Sequence, residues 1–485
     1  MNPRSHIPSP APSPASTRRS VPRHRLAVLG ISALAATTAM AACAPRVSQT
    51  KGSRQSVVTQ PTRSSTTLRP PATAKATAST TVAPTPTTAA PPTVPPPVSA
   101  GVTLRPIDGG PGYFAKWANS FPTDPGFFPV GIWAETLGDP SFIGQYKAMG
   151  VNTFTNLWDG PTKDQMDQLK ANGMYAVGQA NPFALSSTFN ASYGNAQAGY
   201  YYQDEGDGGD VCGYQLTWLA ALCKVGSDGR TTASSLATMA NAIRAKDATR
   251  PVYGQFTKPV ALNSGLTDTQ AAAYVNGVDI VSYDWYTLTD SYNPGTVWQQ
   301  GDAMRHVRQL TNFTKPVWGF IETSHVFPEA TYRPTAADVN AEVWNAIIGG
   351  ARGIQYFNHS FKAGLDTQRV LLDDRYTDIR NQVSTTNARI RELAPVLNAP
   401  YADGLASIAA GNANLMVKAQ NGSYYLFVTP RQKGAQSVTI NVGGAGASTA
   451  SVLYENRSLP LSNGQLVDTF ANQNTVHIYK ITPGS

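Results

Sequence analysis

Between residues 104 and 398, short apolar runs alternate with amphipathic stretches of helical length. Both the runs and their order are typical of a parallel α/β fold. Eight runs are predicted as strands: Phe128–Glu135, Asn152–Trp158, Met174–Gln179, Tyr200–Glu205, Val252–Thr257, Asp279–Tyr286, Val317–Glu322 and Gly353–His359. The helices predicted between and after them include Pro140–Met149, Thr162–Asn172, Ala233–Ala245, Val297–Leu310, Ala336–Gly349 and Tyr376–Leu397. In the third unit, residues 181–198 have no strong helical period.

Eight strand–helix units over roughly 290 residues match the length of a closed (β/α)8 TIM barrel. A doubly wound open sheet is the alternative, but no Gly-rich phosphate turn follows the first predicted strand. Thr335, with Asp338 three residues later, resembles a capping box at the start of the seventh helix. We therefore expect residues 104–398 to form a TIM-barrel domain.

The pattern changes after Pro400, where short alternating runs replace the helical stretches. Leu415–Lys418 and Tyr424–Thr429 flank Asn421-Gly422, a strong hairpin signal. Further short strands are predicted at Ser437–Val442, Ser451–Tyr454 and Thr475–Ile481. These features predict that residues 399–485 form a small antiparallel β-sandwich with a structural role.

The N-terminal segment has a different composition. Residues 1–103 hold 11 of the 38 Lys and Arg residues and no Asp or Glu, so the remainder has 27 basic and 30 acidic residues. The net charge of +8 therefore comes from this segment and does not indicate nucleic-acid binding. Residues 44–103 are rich in Pro, Thr, Ser and Ala, a composition that cannot form a core and predicts an extended linker over residues 43–103.

Residues 1–42 are predicted to be an export signal, because four arginines precede a short apolar run at Leu26–Met40. The run ends in Met40-Ala41-Ala42-Cys43, which resembles a bacterial lipobox and implies a lipid anchor on Cys43, although Met40 stands where Leu is usual. An ordinary secretory peptide is the alternative. We expect an exported protein at the outer face of the membrane or in the cell wall.

The two other cysteines, Cys212 and Cys223, lie close together in sequence. An exported protein meets an oxidising compartment, which favours a disulfide between them. A metal-binding pair is the alternative, but it lacks neighbouring His residues. We expect no metal and no cofactor.

Two predicted strands, the fourth and the seventh, end in a glutamate: Glu205 and Glu322. In TIM barrels the active site lies at the carboxyl ends of the strands, and two facing carboxyl groups are the apparatus for hydrolysing a glycosidic bond with retention. Repulsion between two such groups favours a proton on one of them, which can then act as the acid. Glu135, at the end of the first strand, is a rival carboxylate.

Three segments resemble the clan of barrel glycoside hydrolases that carry an acid/base glutamate after strand four and a nucleophile after strand seven. They are Tyr202-Gln-Asp-Glu205, Lys315-Pro-Val-Trp-Gly-Phe-Ile-Glu322-Thr, and Val343-Trp-Asn-Ala-Ile-Ile-Gly-Gly-Ala-Arg-Gly-Ile-Gln-Tyr-Phe-Asn358-His359. The resemblance covers about residues 104–398. It implies that Glu205 is the acid/base and Glu322 is the nucleophile.

The chain also departs from the pattern of that clan. Asp204 stands where Asn usually precedes the acid/base, no Arg lies on the second strand, and Asp284 replaces the commoner His or Asn. Tyr286 matches the tyrosine that hydrogen-bonds the nucleophile in the clan. The side chains expected to contact a carbohydrate substrate are Asp204, Asp284, Tyr286, Trp133, Trp158, Trp285, Asn358 and His359.

We therefore interpret the chain as an exported, monomeric, retaining glycoside hydrolase that acts on an oligosaccharide or polysaccharide. Two alternatives stay open. A cell-wall transglycosylase would use the same site with a sugar acceptor, and a tethered carbohydrate-binding barrel would have lost catalysis. Asp204, Asp207 and Asp210 could suggest calcium, but their spacing lacks the alternating ligands of an EF-hand.

Overall fold

The computed structural model of the chain describes residues 101–208, 216–290 and 295–484. Eight parallel strands form a closed barrel, since the last strand pairs with the first. The strands are β2 (Val130–Trp133), β3 (Thr153–Thr155), β4 (Tyr175–Gln179), β5 (Gln197–Tyr201), β6 (Val252–Phe256), β7 (Ile280–Tyr283), β8 (Val317–Glu322) and β9 (Gly353–Phe357). The prediction of a TIM barrel is confirmed.

The α-helices between and after these strands cover the outside of the barrel. They are α1 (Pro140–Ala148), α2 (Lys163–Asn172), α3 (Ser187–Tyr193), α4 (Ala233–Lys246), α5 (Lys258–Leu262), α6 (Asp268–Asn276), α7 (Gln299–Leu310), α8 (Ala336–Gly349) and α9 (Thr377–Leu397). The predicted capping box of α8 is present: Asp338 N donates to Thr335 Oγ1, and Thr335 N donates to Asp338 Oδ2. Short 3-10 helices occupy Tyr113–Lys116, Gly194–Ala196, Ala220–Leu222, Val370–Leu372 and Asp374–Tyr376.

Two apolar layers stabilise the barrel. One fills the space between strands and helices, where α8 is buried along almost its whole length. The other fills the barrel interior and is mostly aromatic, with Trp133, Tyr201, Tyr253, Trp318 and Phe320 in it. On β8, Trp318 and Phe320 face the barrel interior and Ile321 faces the helices. This strand is therefore buried on both sides, as is usual in a parallel barrel.

The C-terminal region contains two antiparallel sheets, which confirms the predicted β-rich domain. The larger has the order β1 (Thr103–Arg105), β10 (Tyr401–Asp403), β12 (Ala413–Gln420), β13 (Ser423–Pro430), β18 (His477–Ile481), β15 (Thr449–Val452) and β16 (Arg457–Pro460). The smaller contains β11 (Ala406–Ala410), β14 (Gln436–Val442) and β17 (Gln465–Phe470). Asn421 and Gly422 form the predicted hairpin turn with φ values of 46° and 74°, and Gln420 pairs with Ser423.

The sequence did not predict β1. This strand precedes the barrel yet pairs with β10, and Arg105 forms a salt bridge with Asp403. The two regions also pack directly, since the Trp344 ring on α8 stacks on Phe427 of β13 with ring centroids 5.9 Å apart. Asn345 Oδ1 accepts hydrogen bonds from Asn414 Nδ2 and Thr429 Oγ1 at the same contact.

Candidate active site

The loop after β5 carries Glu205 and is fixed to the neighbouring strand. β5 ends at Tyr201, four residues before Glu205, which has a left-handed backbone with φ of 47°. The Glu205 amide donates to Gln255 Oε1 on β6 at 2.8 Å. The buried Asp207 carboxylate accepts the amides of Thr257 and Val260, where α5 begins. Backbone and side-chain bonds thus hold Glu205 at the barrel end.

Glu205 belongs to a cluster of acidic side chains contributed by two loops. Asp284 follows β7, and its buried carboxyl group lies beside that of Glu205. The Tyr286 hydroxyl donates to Asp284 Oδ2 at 3.4 Å, and Asp204 precedes Glu205 in the chain. Neighbouring buried carboxylates repel each other, which favours a proton on one of them. This cluster therefore favours a protonated acid.

Burial raises the pKa of each of these acids, and repulsion by neighbouring carboxylates adds to it at Glu205 and Asp284. Burial, followed by the charges of Asp204 and Asp207, raises the pKa of Glu205 to about 8. Burial raises the pKa of Asp204 to about 6, and that of Asp207 to about 6. Burial and the neighbouring carboxylates raise the pKa of Asp284 well above its ordinary value. At neutral pH, Glu205 is a proton donor facing partly into solvent.

Glu322 ends β8 and is held in a different way. It is 1% exposed, and its Oε1 accepts the Leu288 amide at 2.6 Å while its Oε2 accepts the Thr289 amide at 3.0 Å. Its carboxyl group lies near that of Glu342 on α8, since the Thr287 hydroxyl is 3.5 Å from Glu322 Oε1 and 2.8 Å from Glu342 Oε1. Burial raises the pKa of Glu322 above its ordinary value, although hydrogen bonds lower it part of the way back. The loop after β7 therefore encloses this carboxyl group.

Tyr286 lies within electrostatic range of both carboxyl groups. Burial first, then the charges of Asp284, Glu205, Asp204 and Glu322, raise its pKa well above the ordinary value. Its ring packs on Phe357 with a centroid distance of 4.9 Å and on Phe327 at 5.9 Å. The charges of the acids after the fourth and seventh barrel strands thus both act on this phenol, although among the described residues no hydrogen bond joins Glu205 to Glu322.

Most of the other predicted substrate-binding residues have internal partners. Trp133 lies in the aromatic interior with edge contacts to Tyr201 and Phe320. Trp285 packs in the layer between strands and helices, and its carbonyl accepts Gln300 Nε2. Asn358 is fully buried, and both ends of its amide have partners: its Nδ2 donates to the Tyr146 hydroxyl and its Oδ1 accepts the Leu371 amide.

His359 and Trp158 lie together at the barrel mouth. His359 is 3% exposed, its Nε2 contacts the Trp133 carbonyl at 3.2 Å, and burial lowers its pKa to about 4. Its ring stacks on Phe361 and lies 6.4 Å from the Trp158 ring. His359 is therefore neutral at pH 7, and of these two rings Trp158 is the one with a partly exposed face.

Glu135, the rival carboxylate, is fully engaged in local structure. Its Oε1 accepts the amides of Thr136 and Leu137 and forms a salt bridge with Arg369, and its Oε2 accepts the Tyr146 hydroxyl at 2.6 Å. It is 2% exposed. These contacts fix the loop after β2 and engage both oxygens of Glu135 in internal hydrogen bonds.

Sequence reasoning missed Asp207 and Glu342 as residues that shape the site, and it did not predict that Gln255 supports Glu205. Gln255 follows the strand alternation expected of an inward-facing position, which is the one signal that could have indicated its support of Glu205. Glu342 lies inside a regular helix, so its contact with Glu322 depends on how α8 packs on β8. A local pattern does not contain that information.

Several predictions fall outside the described residues. Cys43, the export segment and Cys212 lie there, so the lipid anchor and the Cys212–Cys223 disulfide stay predictions. Within the described ranges, no group of three or more His, Cys, Asp or Glu side chains could hold a metal ion. No helix in those ranges is long and apolar enough to cross a membrane.

Comparison with known proteins finds solved structures that resemble this one. No protein-family model matches this chain, and no curated protein does. Similar solved structures include a family 5 glycoside hydrolase from Bacteroides vulgatus, 14% identical, covering 79% of this chain and 95% of that one with a TM-score of 0.47. A family 30 endoxylanase from Clostridium papyrosolvens is 11% identical, covering 79% and 99%, with a TM-score of 0.42. The family 51 α-L-arabinofuranosidase AbfB from Bifidobacterium longum is 12% identical, covering 79% and 98%, with a TM-score of 0.42.

Proposed function

We propose that this chain is an exported glycoside hydrolase that cleaves an oligosaccharide or polysaccharide with retention of configuration. Glu205 is the general acid/base and Glu322 is the nucleophile. The observation that carries the proposal is that one loop, residues 284–289, meets both acids: Asp284 lies beside Glu205, and the Leu288 and Thr289 amides donate to Glu322. This arrangement brings a proton donor and a carboxylate to one end of a closed barrel.

The two environments divide the roles. Glu205, whose pKa is raised to about 8, holds a proton at neutral pH and can give it to the leaving glycosidic oxygen. Glu322 receives two backbone amides, which favour its anionic form. In the first step Glu322 bonds to the anomeric carbon as the glycosidic C–O bond breaks and Glu205 loses its proton. In the second step, water gives a proton to Glu205, and the water oxygen bonds to the anomeric carbon as the bond between that carbon and Glu322 breaks.

The burial of Glu322 imposes a condition on this chemistry. Because Glu322 is 1% exposed, a sugar can reach its oxygens only if the enclosing loop moves. A substrate that enters beside Tyr286 would meet the loop residues Thr287–Thr289 at that point. The substrate-bound site is therefore expected to differ from the free site in this loop.

A labelling experiment tests the assignment. An activated 2-deoxy-2-fluoro glycoside of the sugar released in a screen of aryl glycosides, furanosides included, should trap the covalent intermediate on Glu322. Peptide mapping by mass spectrometry identifies the labelled residue. Glu322→Ala should lose the label, whereas Glu392→Gln, an exposed glutamate on α9, should keep it. A label on any other carboxylate would overturn the assignment.

A non-catalytic carbohydrate-binding barrel is the second candidate, and the 1% exposure of Glu322 favours it. It predicts saturable binding of a glycan, measured by calorimetry, with no label and no product. A transglycosylase would be labelled like the hydrolase but would form longer products when acceptor sugar is in excess. Product sizing at high acceptor concentration separates these two.

The proposal includes export and a lipid anchor on Cys43, which would hold the enzyme at the outer face of the membrane. Metabolic labelling with a radioactive fatty acid tests this. The wild-type chain should take up label and fractionate with membranes, and Cys43→Ser should do neither. Label in the Cys43→Ser variant would exclude the lipobox interpretation.

A further inference from the structure

Glu322 and Glu342 form a second pair of neighbouring acids, away from the Glu205 cluster. Glu342 lies on α8 and is fully buried, and the Thr287 hydroxyl lies 2.8 Å from its Oε1 and 3.5 Å from Glu322 Oε1. Two buried carboxylates this close repel each other, which favours a proton on one of them. The hydrogen bonds around each group decide which one.

The donors are distributed unequally between the two groups. Glu322 accepts two backbone amides, those of Leu288 and Thr289. Glu342 accepts one hydroxyl, since Thr287 Oγ1 lies 2.8 Å from Glu342 Oε1 and 3.5 Å from Glu322 Oε1. Each donor stabilises a negative charge on its acceptor, so the anion is more stable on Glu322.

The remaining oxygen of Glu342 completes the assignment. Glu342 Oε2 is buried and accepts no hydrogen bond from a described residue. A buried carboxylate oxygen without a donor is costly, whereas the oxygen of a protonated carboxyl group needs an acceptor instead. Glu322 supplies that acceptor. We propose that Glu342 carries the shared proton at neutral pH and donates a hydrogen bond to Glu322, which makes Glu342 a positioning residue for the nucleophile of the proposed function.

The surrounding charges agree with this protonation state. The charged groups that act most strongly on Glu342 are both acids, Glu322 on β8 and Asp338 one turn earlier on α8, and burial together with these charges raises its pKa well above the ordinary value. The other titratable groups facing the pair are the phenols of Tyr283, Tyr286 and Tyr332.

Infrared spectroscopy of the full chain tests the proton directly. The difference spectrum between wild type and Glu342→Gln at pH 7 should contain the C=O stretch of a carboxylic acid that is present in the wild type and lost in the variant. Loss of carboxylate bands alone would overturn the proposal. This readout does not depend on turnover, so failure of the proposed function, seen as full activity in Glu322→Ala, would be recognised separately.

Kinetics distinguish hydrogen-bond donation from simple packing. Glu342→Gln keeps an N–H donor, whereas Glu342→Leu keeps most of the volume and removes the donor. We expect kcat/KM to fall roughly 10- to 100-fold in Glu342→Leu, the range for losing a hydrogen bond to a charged group, and by much less in Glu342→Gln. Glu392→Gln is the unchanged control. Equal losses in the Gln and Leu variants would contradict donation, and if the Leu variant does not fold, the infrared comparison still decides.

Discussion

The barrel end holds two groups of acids whose surroundings differ. One is the cluster of Glu205, Asp204 and Asp284, and the other is the pair of Glu322 and Glu342. Both bring carboxyl groups close together, and in both the repulsion favours a proton on one of them. The first is partly open to solvent and raises the pKa of Glu205 into the neutral range. The second is enclosed by backbone amides. An acid that must give and recover a proton needs the first environment, and a carboxylate that must stay charged needs the second.

The largest effect is expected from removing the enclosed carboxylate. Glu322→Ala should lower kcat by roughly 10⁴-fold or more, the scale seen when a residue that acts directly in the chemistry is removed. Turnover of an aryl glycoside and circular dichroism measure activity and folding. Undiminished turnover in a folded variant would show that Glu322 is not the nucleophile and has only a structural role.

Removing the carboxyl group of Glu205 should lower kcat less than removing that of Glu322, and the loss should depend on the leaving group. Glu205→Gln is expected to lower kcat roughly 10²- to 10⁴-fold on a natural glycoside, the usual contribution of a general acid. An aryl glycoside whose phenol leaves without protonation should show a much smaller loss in the glycosylation step. A loss independent of the leaving group would contradict an acid role for Glu205.

A smaller change should appear in the pH dependence of Asp204→Asn. Hydrolysis needs protonated Glu205, so wild-type kcat/KM should fall as the pH rises through about 8. The charge of Asp204 raises the pKa of Glu205, so its removal should move this basic limb to lower pH. A pH–rate profile of both proteins checks the direction, and a shift to higher pH would be incompatible with the cluster.

The same cluster should affect stability. The folded pKa of Glu205 lies above its ordinary value of 4.5, so between about pH 4.5 and 8 the folded state binds protons that the unfolded state has released. The contribution of Glu205 to the free energy of unfolding is therefore fully present below this range and is lost as the pH rises through it. Thermal unfolding should show a lower Tm at pH 8 than at pH 5, with a weaker dependence in Asp204→Asn.

The smallest effect on activity is expected at Glu135, a third strand-end carboxylate that belongs to neither pair. Glu135→Gln weakens the contacts to Arg369 and Tyr146 and should destabilise the fold by roughly 1–3 kcal/mol. We expect kcat to change by no more than a few-fold. A loss comparable to that of Glu205→Gln would give Glu135 a chemical role.

Much of the barrel could be predicted from the sequence because its strands are apolar on both faces. Val317–Glu322 and Ala336–Gly349 have the predicted bounds, since each ends at a clear signal in the chain. The bounds around Glu205 differ: the run of tyrosines reads as one strand, but the chain leaves the sheet after Tyr201 and turns left-handed at Glu205. A turn held by Gln255 on another strand has no local signature.

The candidate site was harder to predict than the barrel. Residue type indicated which strand ends carry acids, but not which of them are enclosed. Asn358 and Glu135 resemble ligand contacts in the sequence, yet Tyr146 satisfies one oxygen or nitrogen of each of them. Tyr146 is contributed by α1, far from both residues in the chain, so only the assembled fold makes this connection.

The pairing of Thr103–Arg105 with Tyr401–Asp403 has a mechanical consequence. Any pull on the chain ahead of residue 101 reaches the molecule first at this short strand and at the Arg105–Asp403 salt bridge. The load is then shared between the C-terminal sheet, through β10 and β12, and the barrel, where Asp108 forms a salt bridge with Arg308. A truncation that begins after Arg105 would therefore remove this strand and its salt bridge from the C-terminal sheet.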